Sequence, residues 1–311
     1  MKLAMVFPGQ GSQSVGMLKG YEGLPEVDAV RAEAAAALGA DFLGILDQGP
    51  AEQLNLTVNT QPAMVTAAIA AYRAWRALGG PAPQIVAGHS LGEYSALVAA
   101  GSLALRDALP LVRFRAQSMQ EAVPEGQGAM AAILGLDEDA ARAACAEAAQ
   151  GEAVQAVNFN APGQVVIAGH KTAVARAIEA CKARGAKRAM ALPVSAPFHS
   201  SLMKPAGEKL RVYLEKISLQ AMQIPLINNV DVKEEKDPVK IKDALVRQAA
   251  SPVRWVETIR AMAAQGVTHV IECGPGKVLA GLVKRIDPQL QGIAAADRAS
   301  LEQALAVLQG K

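Results

Sequence analysis

The apolar run that follows Lys2 ends at Phe7 and gives way to Pro8-Gly9-Gln10-Gly11-Ser12-Gln13. A short continuous apolar run closed by turn residues predicts a buried strand over 2–7 and a loop over 8–13. Helical spacing takes over further on, most clearly from Thr60 to Leu78, with Thr60 placed as N-cap and Gly79 as the stop. A second short apolar run, Gln84 to Ala87, leads through Gly88-His89-Ser90 into a helix-forming stretch from Leu91 to Ala100. Residues 106–122 again carry helical spacing, with Pro110 near the first turn. Strands alternating with helices predict an α/β fold built on a mostly parallel sheet.

After Pro124-Glu125-Gly126 the elements become shorter. Strand patterns over 128–134, 154–158, 165–169 and 188–193 are interleaved with helical patterns over 137–149 and 172–184, and Asn160-Ala161-Pro162-Gly163 reads as a turn. The order βαββαβ is the ferredoxin-like arrangement. It places a small subdomain at 127–193, set into a discontinuous α/β core made of 1–126 and 194–311. The core pattern then resumes with a helix over 201–216, a strand near 224–229, helices near 240–249 and 252–265, and a strand over 267–272. Gly274-Pro275-Gly276 follows, then a helix over 277–285.

Composition narrows the classes. A chain of 311 residues with 51% hydrophobic content suffices for a large core or two unequal domains. Charged residues make up 19% and the formal net charge is +2, which gives no global reason to expect nucleic acid or an anionic membrane as partner. Cys145, Cys181 and Cys273 are far apart with no CxxC pair. Reduced thiols in a cytoplasmic protein are therefore expected, not a disulfide framework or a zinc site. The N-terminal apolar run, broken by Pro8 and Gly9, is too short for a signal peptide or a membrane span.

The chemistry concentrates at Gly88-His89-Ser90-Leu91-Gly92. A serine between glycines, on the turn from a strand to a helix, is the layout of a nucleophile elbow, and it makes the core α/β-hydrolase-like. Taken alone the pattern also fits an inert Gly-Ser turn. Ser90 needs a base, and the chain has four histidines. His269 lies in an apolar strand, and His170 in a turn of the small subdomain. His89 neighbours the serine, where strand alternation turns its ring to the opposite face and gives it a supporting role. His199 remains, in Ser195-Ala196-Pro197-Phe198-His199-Ser200, where the chain leaves the small subdomain. A helix-capping or interface histidine is the competing reading. No acid stands in an obvious position to complete a triad, and a backbone or amide carbonyl can orient a histidine instead.

Arg115 sits on the wrong face of its helix. Ala108, Leu111, Val112, Met119 and Ala122 share its stripe, whereas Arg113, Gln117 and Gln120 occupy the polar side. A buried guanidinium needs an anion. Either an Asp or Glu forms a structural salt bridge with it, or a substrate carboxylate is held by its planar fork.

The segments Phe7–Gln13, Gly88–Tyr94, Arg115 with its following residues, Asn158–Gly169, Ser195–Met203, Arg247–Trp255 and Glu272–Leu279 together resemble the malonyl-CoA:acyl carrier protein transacylases, in that family's order and over nearly the whole chain. The resemblance implies a ping-pong reaction. Malonyl-CoA would acylate Ser90, and the phosphopantetheine thiol of an acyl carrier protein would take the malonyl group away. It implies His199 as base, Arg115 as clamp of the malonyl carboxylate, the backbone N–H groups of Gln10 and Leu91 as oxyanion hole, and Gln248 as the residue whose main-chain carbonyl orients the histidine. No cofactor or metal is implied. Phe198 before the histidine and Leu91 after the serine resemble the malonyl-selective members. Phe159 stands where relatives are often more polar. The partners implied are malonyl-CoA and acyl carrier protein, with no nucleic acid and no membrane, and the chain is taken as a cytoplasmic monomer. Lys182, Arg184, Lys187 and Arg188, or Lys277, Lys284 and Arg285, are candidate patches for an acidic carrier, and equally ordinary solvated helix faces. The alternatives are a serine esterase or thioesterase, and a discrete acyltransferase of a polyketide pathway.

Overall fold

The computed structural model describes residues 1–194 and 196–310; Ser195, which heads the histidine-bearing segment, and Lys311 lie outside the described residues. In chain order the core opens with β1 (Leu3–Phe7), α1 (Pro25–Leu38), α2 (Ala40–Gln48), α3 (Ala51–Leu54), α4 (Thr57–Ala77), β2 (Ile85–Gly88), α5 (Gly92–Ala99) and α6 (Leu105–Glu121). A second group follows: β3 (Gly128–Leu134), α7 (Glu138–Ala149), β4 (Val154–Ala161), β5 (Gln164–His170), α8 (Lys171–Ala183) and β6 (Arg188–Ala191). The core then returns with α9 (Lys204–Glu215), α10 (Pro238–Gln248), α11 (Trp255–Ala264), β7 (His269–Cys273), α12 (Val278–Ile286), β8 (Gln291–Ala295) and α13 (Arg298–Leu308).

The first sheet is parallel throughout, in the order β2-β1-β7-β8. Strand β1, at its centre, is apolar on both faces because both faces are covered. In β1, Leu3, Met5 and Phe7 pack into one apolar cluster, while Ala4 and Val6 pack into another on the opposite side. The second sheet is antiparallel, in the order β4-β5-β3-β6, with α7 and α8 against one face. That strand order together with βαββαβ succession is ferredoxin-like. Alanine, valine and cysteine side chains fill the space between helices and sheet, with Cys145 and Cys181 among them. The fold class expected from the sequence is the one observed.

Several boundaries differ from the expectation. The helix expected from Thr60 begins one turn earlier, at Thr57, and Thr60 is a buried interior residue whose hydroxyl donates to the Leu54 carbonyl at 2.6 Å. The turn expected over 160–163 starts later, because β4 runs on through Asn160 to Ala161. The strand expected near 224–229 forms only isolated bridges, Val86 with Leu226 and Ile227 with Glu234. Pro225 lacks an N–H and serves only as acceptor, taking one bond from Val86 N, so a continuous ladder cannot form there. The expected helix over 201–216 opens with a short 3-10 turn, Ser201–Met203, before α9. Strand β8 and helix α13 went unanticipated, since Gln291-Gly292-Ile293-Ala294-Ala295 carries a single β-branched residue.

The loops after β1 and β2 leave the same end of the parallel sheet from adjacent strands, with Phe7 paired to Gly88. In open α/β sheets the carboxyl ends of the strands are where ligands bind.

Candidate active site

Ser90 occupies the junction between β2 and α5 with φ 53°, a left-handed conformation that costs a non-glycine residue energy and is held only when the surroundings over-determine it. The surroundings do so through two glycines. A Cβ on Gly88 would lie 1.8 Å from the Gly92 carbonyl carbon, and a Cβ on Gly92 would lie 2.1 Å from the Phe7 carbonyl oxygen. The turn thus closes on itself and on the end of β1 at distances only glycine permits. Gly92→Ala is expected to destabilise the fold by at least about 3 kcal/mol, because backbone on both sides must move. Chemical denaturation checks this, and an alanine variant with an unchanged midpoint would show that the elbow can open without cost.

Asn229 completes the clamp on the elbow. Its Oδ1 accepts from Ser90 N at 2.7 Å, its Nδ2 donates to the Gly88 carbonyl at 2.6 Å, and its own N–H donates to Glu93 Oε2 at 2.9 Å. Sequence reasoning did not single out Asn229 or Glu93; Asn229 lies 139 positions from the serine, which leaves no local signal for it.

His199, the residue expected from the sequence to serve as base, lies against the serine. His199 Nε2 lies 2.6 Å from Ser90 Oγ, and His199 Nδ1 lies 2.9 Å from the main-chain carbonyl of Gln248. That carbonyl can only accept, so Nδ1 carries the hydrogen and Nε2 is left free to take a proton from the serine. His199 is buried, at φ 64°. Burial, then the positive charge of Arg115, pushes its pKa down to about 3, so the ring is neutral across the physiological range. A capping or interface role is not what the structure gives this histidine. His89 faces away from the hydroxyl: its Nε2 is 2.8 Å from Asn160 Oδ1 and its ring meets Trp255 edge-on. It ties the elbow to β4, the supporting role expected of it. His170 ends β5 with Nδ1 accepting from Ala153 N at 2.9 Å, and His269 stands half-buried at the start of β7 beside Thr268.

Arg115, 2% exposed, reaches the serine from α6. Its Nη2 donates to Ser90 Oγ at 3.3 Å and to Gln248 Oε1 at 3.0 Å, and its Nη1 donates to Gln61 Oε1 at 2.9 Å. The face of Tyr94 lies under the guanidinium, 5.4 Å away. The structural salt bridge weighed as an alternative is absent: among the described residues no carboxylate pairs with Arg115, and its buried Nε has no partner. A buried cation held only by neutral acceptors has no counter-charge among the described residues to offset its burial. Glu93 is near but separate. Gln248 lies between, its Oε1 turned to Arg115 and its Nε2 donating to Glu93 Oε2 and to the Ser90 carbonyl, both at 3.0 Å. Burial raises the Glu93 carboxyl to about 7 against these opposing hydrogen bonds.

The N–H groups of Gln10 and Leu91 have no acceptor among the described residues; Leu91 directly follows the serine at the start of α5, and Gln10 sits in the loop after β1. A cavity of about 240 Å³ reaches His199 between Arg142, Gln155 and Pro252. The small sheet forms one wall, joined to the core where Phe159 N donates to the Val253 carbonyl at 3.0 Å. Phe159 itself is buried beneath the Arg142 guanidinium, 4.4 Å from the ring centroid, so its apolar character is used inside the small subdomain. Of the two basic clusters, the first is partly neutralised: Lys182 pairs with Glu179 at 2.8 Å, and Arg184 pairs with Glu147. Lys277, Lys284 and Arg285 are exposed, and among the described residues none forms an ion pair; Arg285 Nη1 instead bonds Gln164 Oε1 at 2.6 Å.

A strained serine at a strand–helix elbow, paired with a histidine and set beside an arginine, is the arrangement of the class of α/β enzymes that work through a serine nucleophile. More narrowly, the chain belongs to the acyl transferase family, whose domain matches residues 4–300. It is 57% identical over 305 residues to the malonyl CoA-acyl carrier protein transacylase of Escherichia coli, covering 98% of this chain and 99% of that one. The crystal structure of an acyl-carrier-protein S-malonyltransferase from Burkholderia pseudomallei superposes with a TM-score of 0.96 at 63% identity, covering 98% of this chain and 99% of the other. A malonyl-transacylase solved in complex with its type II PKS acyl-carrier protein is 52% identical, with a TM-score of 0.96 and full coverage of both chains.

Proposed function

We propose that the chain is a malonyl-CoA:acyl carrier protein S-malonyltransferase supplying chain-extender units for fatty-acid synthesis. The observation that carries this is the position of Arg115 Nη2, 3.3 Å from Ser90 Oγ. A donor whose carbonyl is attacked by Ser90 while its far end meets Arg115 must carry a carboxylate one carbon beyond the thioester. Malonyl thioesters have that spacing.

In this scheme Ser90 Oγ attacks the thioester carbon of malonyl-CoA as His199 Nε2 takes the hydroxyl proton. The N–H groups of Gln10 and Leu91 bind the oxyanion. The C–S bond then breaks, and the CoA sulfur leaves with the proton from His199. The phosphopantetheine thiol of the carrier gives its proton to His199, attacks the malonyl-serine ester, and restores the free hydroxyl. The Gln248 carbonyl holds the ring through both halves. No cofactor is called on. These five groups and Arg115 all come from one chain, so a monomer suffices. Among the described residues no helix is long and apolar enough to cross a membrane, in keeping with a cytoplasmic enzyme. Lys277, Lys284 and Arg285 on and before α12, with no ion pair among the described residues, offer an acidic carrier a better surface than the partly neutralised cluster at and after the end of α8.

An esterase reading gives the carboxylate-seeking arginine nothing to do, and the named relatives favour transfer to a carrier. Intact-protein mass spectrometry tests the proposal. Malonyl-CoA is expected to leave a malonyl adduct that persists in buffer and disappears on adding holo carrier protein. Rapid loss to free malonate without a carrier would instead point to a hydrolase.

A further inference from the structure

Arginine has donors and no acceptor, so Arg115 fixes the direction of the hydrogen bonds that lead away from it. Its Nη1 donates to Gln61 Oε1 at 2.9 Å, which turns the Gln61 amide so that Nε2 faces Thr57 and donates to its Oγ1 at 3.3 Å. The Thr57 hydroxyl, having accepted from one side, donates on the other to Gln10 Oε1 at 2.8 Å. Gln61 and Thr57 are buried, whereas Gln10 is exposed on the loop after β1. Thr57 is the first residue of α4, and neither it nor the Leu56 N-cap makes a side-chain capping bond there. A threonine at a helix start ordinarily uses its oxygen for the local backbone; this one gives it to two side chains, Gln61 one turn on in the same helix and Gln10 from the loop after β1.

We propose that Thr57 is a positioning residue: the chain Arg115–Gln61–Thr57–Gln10 couples the guanidinium that receives the donor carboxylate to the loop that presents the Gln10 N–H to the acyl carbonyl. The inference rests on the malonyl-transfer reading above. It follows that a carboxylate docked on Arg115 steadies Gln61, and through Thr57 the oxyanion loop, so that binding at one end of the donor prepares the site for attack at the other. Cutting the chain at Thr57 leaves Arg115 anchored by Gln248 and the serine–histidine pair untouched. The loss therefore falls on the acylation rate and not on donor affinity.

The test is single-turnover acylation of the full-length enzyme by malonyl-CoA, followed by quenching and intact-mass detection. Four variants are compared: Thr57→Val, Thr57→Ser, Gln10→Leu and the Thr57→Val/Gln10→Leu double. Thr57→Val is expected to slow acylation at saturation by about tenfold, short of the loss of a whole oxyanion donor. The half-saturating malonyl-CoA concentration should stay within about twofold of wild type. Serine, which keeps the hydroxyl, should restore the rate. Gln10→Leu, at an exposed position that does not threaten folding, should match the valine variant, and the double should be no slower than either. A wild-type rate for Thr57→Val, failure of serine to restore it, or multiplicative losses in the double would each overturn the coupling. Acylation of the wild-type enzyme is the control for the function itself: its absence would bring down the malonyl-transfer reading together with the coupling, whereas a normal wild type with an unaffected valine variant overturns the coupling alone.

Discussion

Alanine at Ser90 is expected to abolish the malonyl adduct, and alanine at His199 to slow its formation by roughly 10⁴-fold or more, with the double variant no worse than the serine variant alone. The reason is geometric. Ser90 Oγ and His199 Nε2 are 2.6 Å apart, and an unassisted hydroxyl is a poor nucleophile at neutral pH. Each partner is useful only through the other, so removing the second costs nothing further. His199 remains neutral below the ordinary histidine range because burial disfavours its charged form and the positive charge of Arg115 disfavours it further. The same pairing shapes the pH dependence of acylation by the wild-type enzyme: the rate should not fall between pH 7 and 5.5 through titration of His199, as it would for a base with the ordinary histidine value near 6.5. Rapid-quench acylation at several pH values, with the Ser90→Ala protein as blank, measures both effects. An adduct on Ser90→Ala would place the nucleophile elsewhere and remove the basis for the mechanism.

What the sequence disclosed follows from the range of the forces involved. The elbow was legible because its steric demands are local: strand, glycine, serine, glycine and helix succeed one another within a few residues. Arg115 was legible because helical periodicity makes a charge on an apolar stripe visible without knowing what it meets. Its partners were not legible. Gln61 lies in another helix, Gln248 is 133 positions away, and neutral amides on a buried face carry no mark that separates a ligand of arginine from a packed side chain. Asn229, 139 positions from Ser90, ends a segment that reads as a strand but forms only bridges. The alternation of elements survives such errors because burial on both faces of a parallel sheet demands it. The small antiparallel sheet was legible for a related reason, since short strands and alanine-rich helices alternate with clear turns between them.

Replacing Arg115 by alanine is expected to invert the donor preference without removing the nucleophile. The guanidinium is buried, has no carboxylate partner among the described residues, and keeps its Nε unpaired. Such a cation is costly unless a ligand supplies the missing charge. In the free enzyme, Gln61, Gln248 and Ser90 Oγ hold it in readiness with neutral oxygens. A malonyl carboxylate adds a charge-assisted pair on the side that faces Ser90, with Gln61 and Gln248 still in place, and a buried pair of that kind lost on one side costs several kcal/mol. The kcat/KM for malonyl-CoA should therefore fall by roughly 10³-fold in Arg115→Ala. An acetyl donor has no carboxylate to pair, so acetyl-CoA should lose far less, and the arginine's pull on the serine hydroxyl and its depression of His199 disappear with it. Lysine at the same position should recover little, because a single ammonium on a flexible stem cannot reproduce two fixed donors aimed at Gln61 and Gln248. Competing malonyl-CoA against acetyl-CoA and weighing the two serine adducts by mass reads the ratio directly. If Arg115→Ala kept the wild-type ratio, the guanidinium would be a structural cation, and selection for the carboxylate would have to reside in another part of the cleft.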